Sequence, residues 1–144
     1  SDGLYTEKHG KILCVKTADC VPILISTGKG IAVIHAGWKG LSKDILSSFF
    51  NYFKHSTIDT KVTIGPHARR CCYEVTEEMN DVFPDYVHKK NSTYYLDMSL
   101  YITDYLKSIN IKFEDTGVCT ICDDDYHSYR RDGTEKRQYS FICL

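Results

Sequence analysis

Two short apolar runs, Val21-Pro22-Ile23-Leu24-Ile25 and Ile31-Ala32-Val33-Ile34, flank the turn Thr27-Gly28-Lys29-Gly30. Runs of this length joined by a glycine-bearing turn predict paired strands over 21–26 and 31–35. Further on, Leu41, Ile45, Leu46, Phe49, Phe50 and Phe53 recur at helical spacing, which predicts one helix over 41–53, running on toward His55, with a broad buried face. A strand over 61–64 is stopped by Gly65-Pro66. A short helix over 76–83 follows, with Glu77 and Glu78 near its positive end and Pro84 closing it. Residues 94–96 predict another strand. Leu100, Ile102, Tyr105, Leu106 and Ile109 mark a second amphipathic helix that Asp97 or Ser99 can cap. Residues 11–15, 111–114 and 137–143 complete the strands. With strands at both ends of the chain and no linker or repeat, the pattern predicts one α+β domain over 1–144, built on a mixed sheet.

Composition narrows the function classes. A net charge of −1 and a pI near 6.6 offer no basic field for nucleic acid or an anionic membrane. No apolar run approaches the ~20 residues of a membrane span, and no signal peptide is legible. The seven cysteines are an odd number, so at least one thiol stays outside any internal disulfide. Reduced thiols in a cytoplasmic protein are the simplest account.

The strand pair carries the first candidate chemistry. Cys20 precedes the first strand and His35 closes the second, so pairing would bring both to one end of the sheet. Asp19 adjoins Cys20, and Gly37 and Gly40 let the chain turn tightly behind His35. A soft thiolate and an imidazole placed together suit a metal site or a Cys-His dyad; taken singly, each would be an ordinary structural residue.

Three other clusters stand out. Cys71-Cys72 follows His67 and the basic pair Arg69-Arg70. Adjacent cysteines in extended chain point apart and make a poor chelate. This loop either lines a pocket, with His67 or an arginine facing substrate, or is a solvated loop burying only Cys72 and Tyr73. Cys119-Thr120-Ile121-Cys122 has the spacing of half a zinc site without an evident second pair, and Asp123-Asp124-Asp125 beside it would raise rather than lower a thiol pKa. A structural role is the expectation. Arg130 and Arg131 can grip phosphate or carboxylate bidentately, or pair with the acidic run.

Taken in order, TADCVPILI, IAVIHAGWKGL, TIGPHARRCCYEV and CTICDDDYHSYRRDGTEKRQYSFICL resemble the bacterial laccase-domain family, over the whole chain from Ser1 to Leu144. Its members have been described as multicopper polyphenol oxidases, as purine nucleoside phosphorylases with adenosine deaminase activity, and as a peptidoglycan editing factor. The resemblance implies an α-β-β-α sandwich like that of the putative cysteine hydrolases. It also implies that an N-terminal portion, with a histidine in a Gln-Val-His-like motif supplying the third zinc ligand, is missing here. His9 lies on the wrong side of the segment to take that role.

Carried onto this sequence, the resemblance makes Cys20 and His35 zinc ligands, with Asp19 orienting a ligand or accepting a proton. A zinc with three protein ligands and one open position is the catalytic type. Bound water there would serve adenosine deamination, and bound phosphate would attack the anomeric carbon of adenosine, inosine or methylthioadenosine. Lys39, which stands where the family has Arg in His-Ala-Gly-Trp-Arg-Gly, His67, Arg130 and Arg131 are the candidate substrate-binding residues. One of the two arginines is expected to contact an anion or order a loop.

Copper is the other metal that such a soft pair accepts. Laccase chemistry itself needs many imidazoles, and the six histidines, at 9, 35, 55, 67, 88 and 127, are scattered singly. Two further readings remain at this stage. One is a cysteine hydrolase acting on a cell-wall precursor amide, with Cys20 as nucleophile and His35 as base. The other is a truncated core without activity.

Overall fold

The polar turn at Thr27 closes on itself: Thr27 N donates to Gly30 O at 2.8 Å, and Thr27 Oγ1 accepts from Gly30 N at 2.9 Å. It joins β3 (Val21–Ser26) to β4 (Ile31–Ala36) in antiparallel register, with Val21 opposite Ala36 and Pro22 opposite His35. The computed structural model describes residues 2–52 and 58–144. Within them, β1 (Gly3–Thr6) pairs with the far edge of β4, while β5 (Lys61–Ile64) pairs antiparallel with β3. A strand at Lys112–Asp115 then lies parallel to β5 and completes a five-stranded mixed sheet. Ile23, Ile25, Ile34, Val62 and Ile64 are buried in this sheet, as continuous apolar runs in central strands require.

β2 (Ile12–Thr17) pairs antiparallel with the last strand, Gln138–Cys143, and this two-stranded ribbon lies against β3 and β4. Its outer face presents Ile12, Tyr139 and Phe141, all of them exposed. β6 (Glu74–Val75), β7 (Val87–Lys90) and β8 (Thr93–Leu96) form a third small sheet. In chain order the remaining strands are β9 (Lys112–Asp115) and β10 (Gln138–Cys143).

The helical segment after His35 differs from its sequence expectation. It is two helices, α1 (Trp38–Ser42) and α2 (Ile45–Tyr52), not one. Lys43 N turns back to Gly40 O, and Asp44 takes a left-handed φ of 54°, which no helix interior holds. The apolar stripe survives the break, with Leu41 and Leu46 buried and Ile45, Phe49 and Phe50 packed on the core. The predicted end of this helix, at Phe53 and His55, lies outside the described residues.

The helix expected over 76–83 shrinks to α3 (Met79–Val82), whose flanks Met79 and Phe83 are the buried residues. β7 went unpredicted because Val87-His88-Lys89-Lys90 lacks an apolar alternation. Asn91 and Ser92 both take positive φ, 48° and 66°, as a two-residue hairpin turn needs. α4 (Met98–Ser108) starts at Asp97, whose carboxylate accepts from Leu100 N at 2.9 Å, and buries Met98, Ile102 and Leu106. The result is an α+β fold of mixed sheets and few helices. Among the described residues, no helix is long and apolar enough to cross a membrane.

Candidate functional site

The β3–β4 register places Cys20, one residue before β3, at the same end of the sheet as His35. Two adjoining clefts share these two residues. One, of about 270 Å³, is also lined by Thr17, Tyr129 and Arg137; the other, of about 220 Å³, by Asp2, Gly37, Trp38 and Lys39. Trp38 continues into a third cleft of about 440 Å³ with Val75, Met79 and Arg130. Cys20 and His35 thus sit where two clefts meet, with Lys16 and Arg137 in one and Lys39 and Asp2 in the other.

Packing around the sulfur is tight. A Cβ on Gly37 would lie 2.9 Å from Cys20 Sγ, closer than real contacts allow, so glycine here keeps the room that the thiol occupies. Burial pushes the Cys20 thiol above its ordinary pKa, and the Asp19 carboxylate adds to this; Arg137 and Arg130 work against it. His35 Nδ1 faces Asp2 Oδ1 at 3.7 Å. A soft thiolate and an imidazole are the donor types that zinc takes, and they supply two of the three protein ligands of a catalytic zinc. At the rim, Thr17 Oγ1 and Gln138 Nε2, on residues directly opposite in the β2–β10 register, are buried without a hydrogen-bond partner among the described residues. Orphaned polar atoms beside a cleft favour a polar occupant.

Asp19 is 5% exposed and holds a left-handed φ of 86°. Its carboxylate accepts from Thr120 Oγ1 at 2.8 Å and from Arg130 N at 2.7 Å, while its carbonyl accepts from Ala68 N at 2.9 Å. It therefore ties the approach to β3 to three distant segments, at Ala68, Thr120 and Arg130. The helix it touches, α5 (Tyr129–Asp132), is itself capped by Ser128, whose hydroxyl accepts from Arg131 N at 3.1 Å.

The two arginines divide their work. Arg131 turns inward and donates to the carbonyls of Thr120, Asp123 and Tyr126 at 2.9, 3.2 and 2.8 Å, so it orders the loop. Arg130 lies over the Tyr73 ring at 4.5 Å, donates to Glu74 O at 2.6 Å and lines the wide cleft. Lys39 stands over the Trp38 ring at 5.6 Å, in the cleft beside His35. Arg137 is the arginine that shares a cleft with Cys20 and His35. In the sequence it stands just beyond the turn that follows Arg130 and Arg131; the register brings it to Cys20, because Gln138 pairs with Thr17 and leaves Arg137 beside Ala18.

His67 departs from the role expected of it. The structure buries it completely, with Nδ1 on Gly65 O at 2.7 Å and Nε2 on Ser99 Oγ at 2.5 Å. A carbonyl only accepts, so Nδ1 carries the proton and Nε2 accepts from the Ser99 hydroxyl. Burial lowers the His67 pKa and keeps the ring neutral. No surface of it is left to face a substrate.

The cysteines outside the clefts are also corrected. Residues 69–73 are turned rather than extended, with Cys72 N and Tyr73 N both donating to Arg69 O at 2.9 and 2.8 Å. Both thiols of Cys71-Cys72 therefore reach the same side, where they meet Cys119 and Cys122; all four sulfurs lie within 4.8 Å of one another. This group can hold a metal ion, and the adjacent pair is the second half that the CxxC lacks on its own. A 50-residue separation hid it. The parallel β5–β9 pairing, extended by a bridge between His67 and Cys119, brings the halves together. Burial and the bonds to Cys122 and Cys119 push the Cys71 thiol up to about 11. Burial would raise Cys119 too, but N–H donors from Arg69, Cys122 and Ile121 hold it down at about 7.

The family model for multi-copper polyphenol oxidoreductase laccase covers residues 1–144, and the chain belongs to that family. Among its relatives is the purine nucleoside phosphorylase of Aquifex aeolicus, 31% identical over 148 residues, which are 99% of this chain and 70% of that protein. The purine nucleoside phosphorylase of Clostridium acetobutylicum is 36% identical over 155 residues, 98% of this chain and 66% of that one. Among solved structures, a Neisseria meningitidis protein superposes with a TM-score of 0.91 at 26% identity, over 100% of this chain and 64% of that one. YlmD from Geobacillus stearothermophilus gives 0.84 at 28% identity, over 99% and 60%. The chain thus spans roughly two thirds of the length of these proteins.

Proposed function

We propose that the protein is a zinc-dependent purine nucleoside phosphorylase whose centre is the Cys20–His35 pair. The observation that carries this is the cationic setting of the pair: Lys39 in one adjoining cleft, Arg137 in the other. The names of the relatives from Aquifex aeolicus and Clostridium acetobutylicum support the same class. Cys20 and His35 would hold zinc, which would supply a Lewis acid toward a phosphate or water oxygen. Arg137 and Lys39 hold inorganic phosphate, and the fork of Arg137 matches two of its oxygens where Lys39 acts as a point charge. The cleft past Trp38 takes the nucleoside, with the indole and Met79 against the flat base. Phosphate oxygen bonds to the anomeric carbon, the glycosidic bond breaks, and the purine leaves with the electron pair and takes up a proton.

Adenosine, inosine and methylthioadenosine are the substrates of this reading, and adenosine deamination at the same metal is a second activity. Residues 1–144 act in it as one domain of the α-β-β-α type, in the cytoplasm, where the thiols stay reduced. The cations in the two adjoining clefts, Arg137 and Lys39, suit an anionic co-substrate such as phosphate, which sets the cysteine hydrolase reading behind it. Copper at the same pair would be the polyphenol oxidase variant of the site. The test is purine release from inosine by the chain supplied with zinc and phosphate. Release that stops in Cys20→Ala and in His35→Ala supports the proposal; release that persists in either contradicts it.

A further inference from the structure

Cys71, Cys72, Cys119 and Cys122 stand apart from the residues that line the Cys20–His35 clefts, and the chemistry proposed there uses none of them. Their sulfurs come from two turns that the sheet holds together. Cys122 Sγ lies 3.5 Å from Cys71 Sγ and 2.8 Å from Cys72 Sγ, and no pair in the group exceeds 4.8 Å. Zinc–sulfur bonds of ~2.3 Å in a tetrahedron put sulfurs ~3.8 Å apart; Cys71 and Cys122 stand close to that edge, Cys72 and Cys122 inside it, and no pair exceeds it by more than about 1 Å. Arg69 N points at Cys119 Sγ from 3.5 Å, and the peptide N–H groups of Ile121 and Cys122 converge on the same sulfur. Such donors stabilise a thiolate and fix its direction, the service that the surroundings of a metal ligand provide.

We propose that these four cysteines form a second metal centre, a closed tetrathiolate site for zinc, whose work is structural. Four protein sulfurs leave no open position for substrate, which sets it apart from a catalytic zinc. The load falls on two strips of chain. Thr120, inside the CxxC, donates to the Asp19 carboxylate beside Cys20, and its carbonyl accepts from Arg131. Tyr73, directly after Cys72, carries the Arg130 guanidinium on its ring. A metal clamped between residues 71–72 and 119–122 therefore fixes both the support of Cys20 and the wall of the wide cleft. Soft sulfur donors select zinc over hard cations.

The test uses the chain carrying Cys20→Ala and His35→Ala, so that the outcome is independent of the proposed activity. Purified under reducing conditions, this variant is expected to keep one equivalent of zinc by elemental analysis. Replacement by cobalt is expected to give intense sulfur-to-cobalt charge-transfer bands and tetrahedral ligand-field bands. Adding Cys122→His, which keeps four donors, is expected to retain the metal and shift the cobalt spectrum to a three-sulfur, one-nitrogen set. A metal-free variant whose four thiols react freely, or one with Cys72 linked to Cys122 as a disulfide, overturns the proposal. So does a cobalt spectrum that Cys122→His leaves unchanged, since the metal would then lie elsewhere.

Discussion

Asp19 and Thr120 meet through a hydrogen bond of 2.8 Å between two buried side chains 101 positions apart in the chain. The same carboxylate caps the Arg130 N–H at 2.7 Å, so one residue beside Cys20 anchors both the CxxC loop and α5. Asp19→Ala would orphan both donors and is expected to lower the unfolding free energy by about 2–4 kcal/mol, as the loss of charge-assisted buried bonds does. Asp19→Asn, which keeps one acceptor and tolerates a positive φ, should lose distinctly less. Denaturant titration of the two variants checks the order; equal losses would mean that the charge and its bonds do not hold these segments.

Gly37 leaves Cys20 its space. In Gly37→Ala the new methyl would start 2.9 Å from the sulfur, so the thiol must shift. The expected outcome is a chain of nearly unchanged thermal stability whose zinc affinity at the Cys20–His35 pair falls about tenfold, roughly 1.4 kcal/mol. Competition against a chromophoric chelator reads this directly.

The arginines should separate by phenotype. Arg137→Ala is expected to raise the KM for phosphate about 10- to 100-fold, the worth of a charged hydrogen-bonding partner, and to cost less stability than Arg131→Ala, since its bonds to the carbonyls of Thr134 and Lys136, at 2.9 and 2.8 Å, are local ones. Arg131→Ala removes bonds to the carbonyls of Thr120, Asp123 and Tyr126 and should chiefly destabilise the fold. Steady-state kinetics beside thermal melts tests the division. The reverse pattern would mean that Arg131, not Arg137, reaches the anion.

His67 gives stability a pH dependence of known sign. Its folded pKa lies below the ordinary 6.5, so near and below that pH the unfolded chain binds a proton that the folded chain refuses. The contribution of the neutral ring is therefore complete above about pH 6.5 and is lost as the pH falls toward the folded value. Denaturation midpoints from pH 8 to 5 should fall on the acid side. His67→Gln, which cannot titrate, should flatten that fall.

The legible parts of this chain were those in which local pattern and tertiary packing agree. The β3–β4 pair, β5, β10 and the Asp97-capped α4 follow from apolar runs and a capping carboxylate. The residues 41–53 misled because a helical stripe of buried positions survives a break at Asp44: packing periodicity says which side chains go inward, not whether the backbone is continuous. The junction of Cys20 and His35 was readable because the pairing of two neighbouring strands sets it. The placement of Arg137 beside Cys20 and the four-cysteine group were not, because both depend on long-range pairings, β2 with β10 and β5 with β9, that no local signal encodes. His67 shows the opposite error, a polar residue in a loop-like string that turns out to be a fully bonded part of the core.

The central claim is that Cys20 and His35 organise attack by phosphate on a nucleoside, and the sugar product reports it most directly. Phosphorus NMR of the chain turning over inosine in phosphate should show ribose 1-phosphate accumulating in step with hypoxanthine, with no signal from Cys20→Ala. Free ribose in place of the sugar phosphate, or product formation that Cys20→Ala leaves intact, would contradict it.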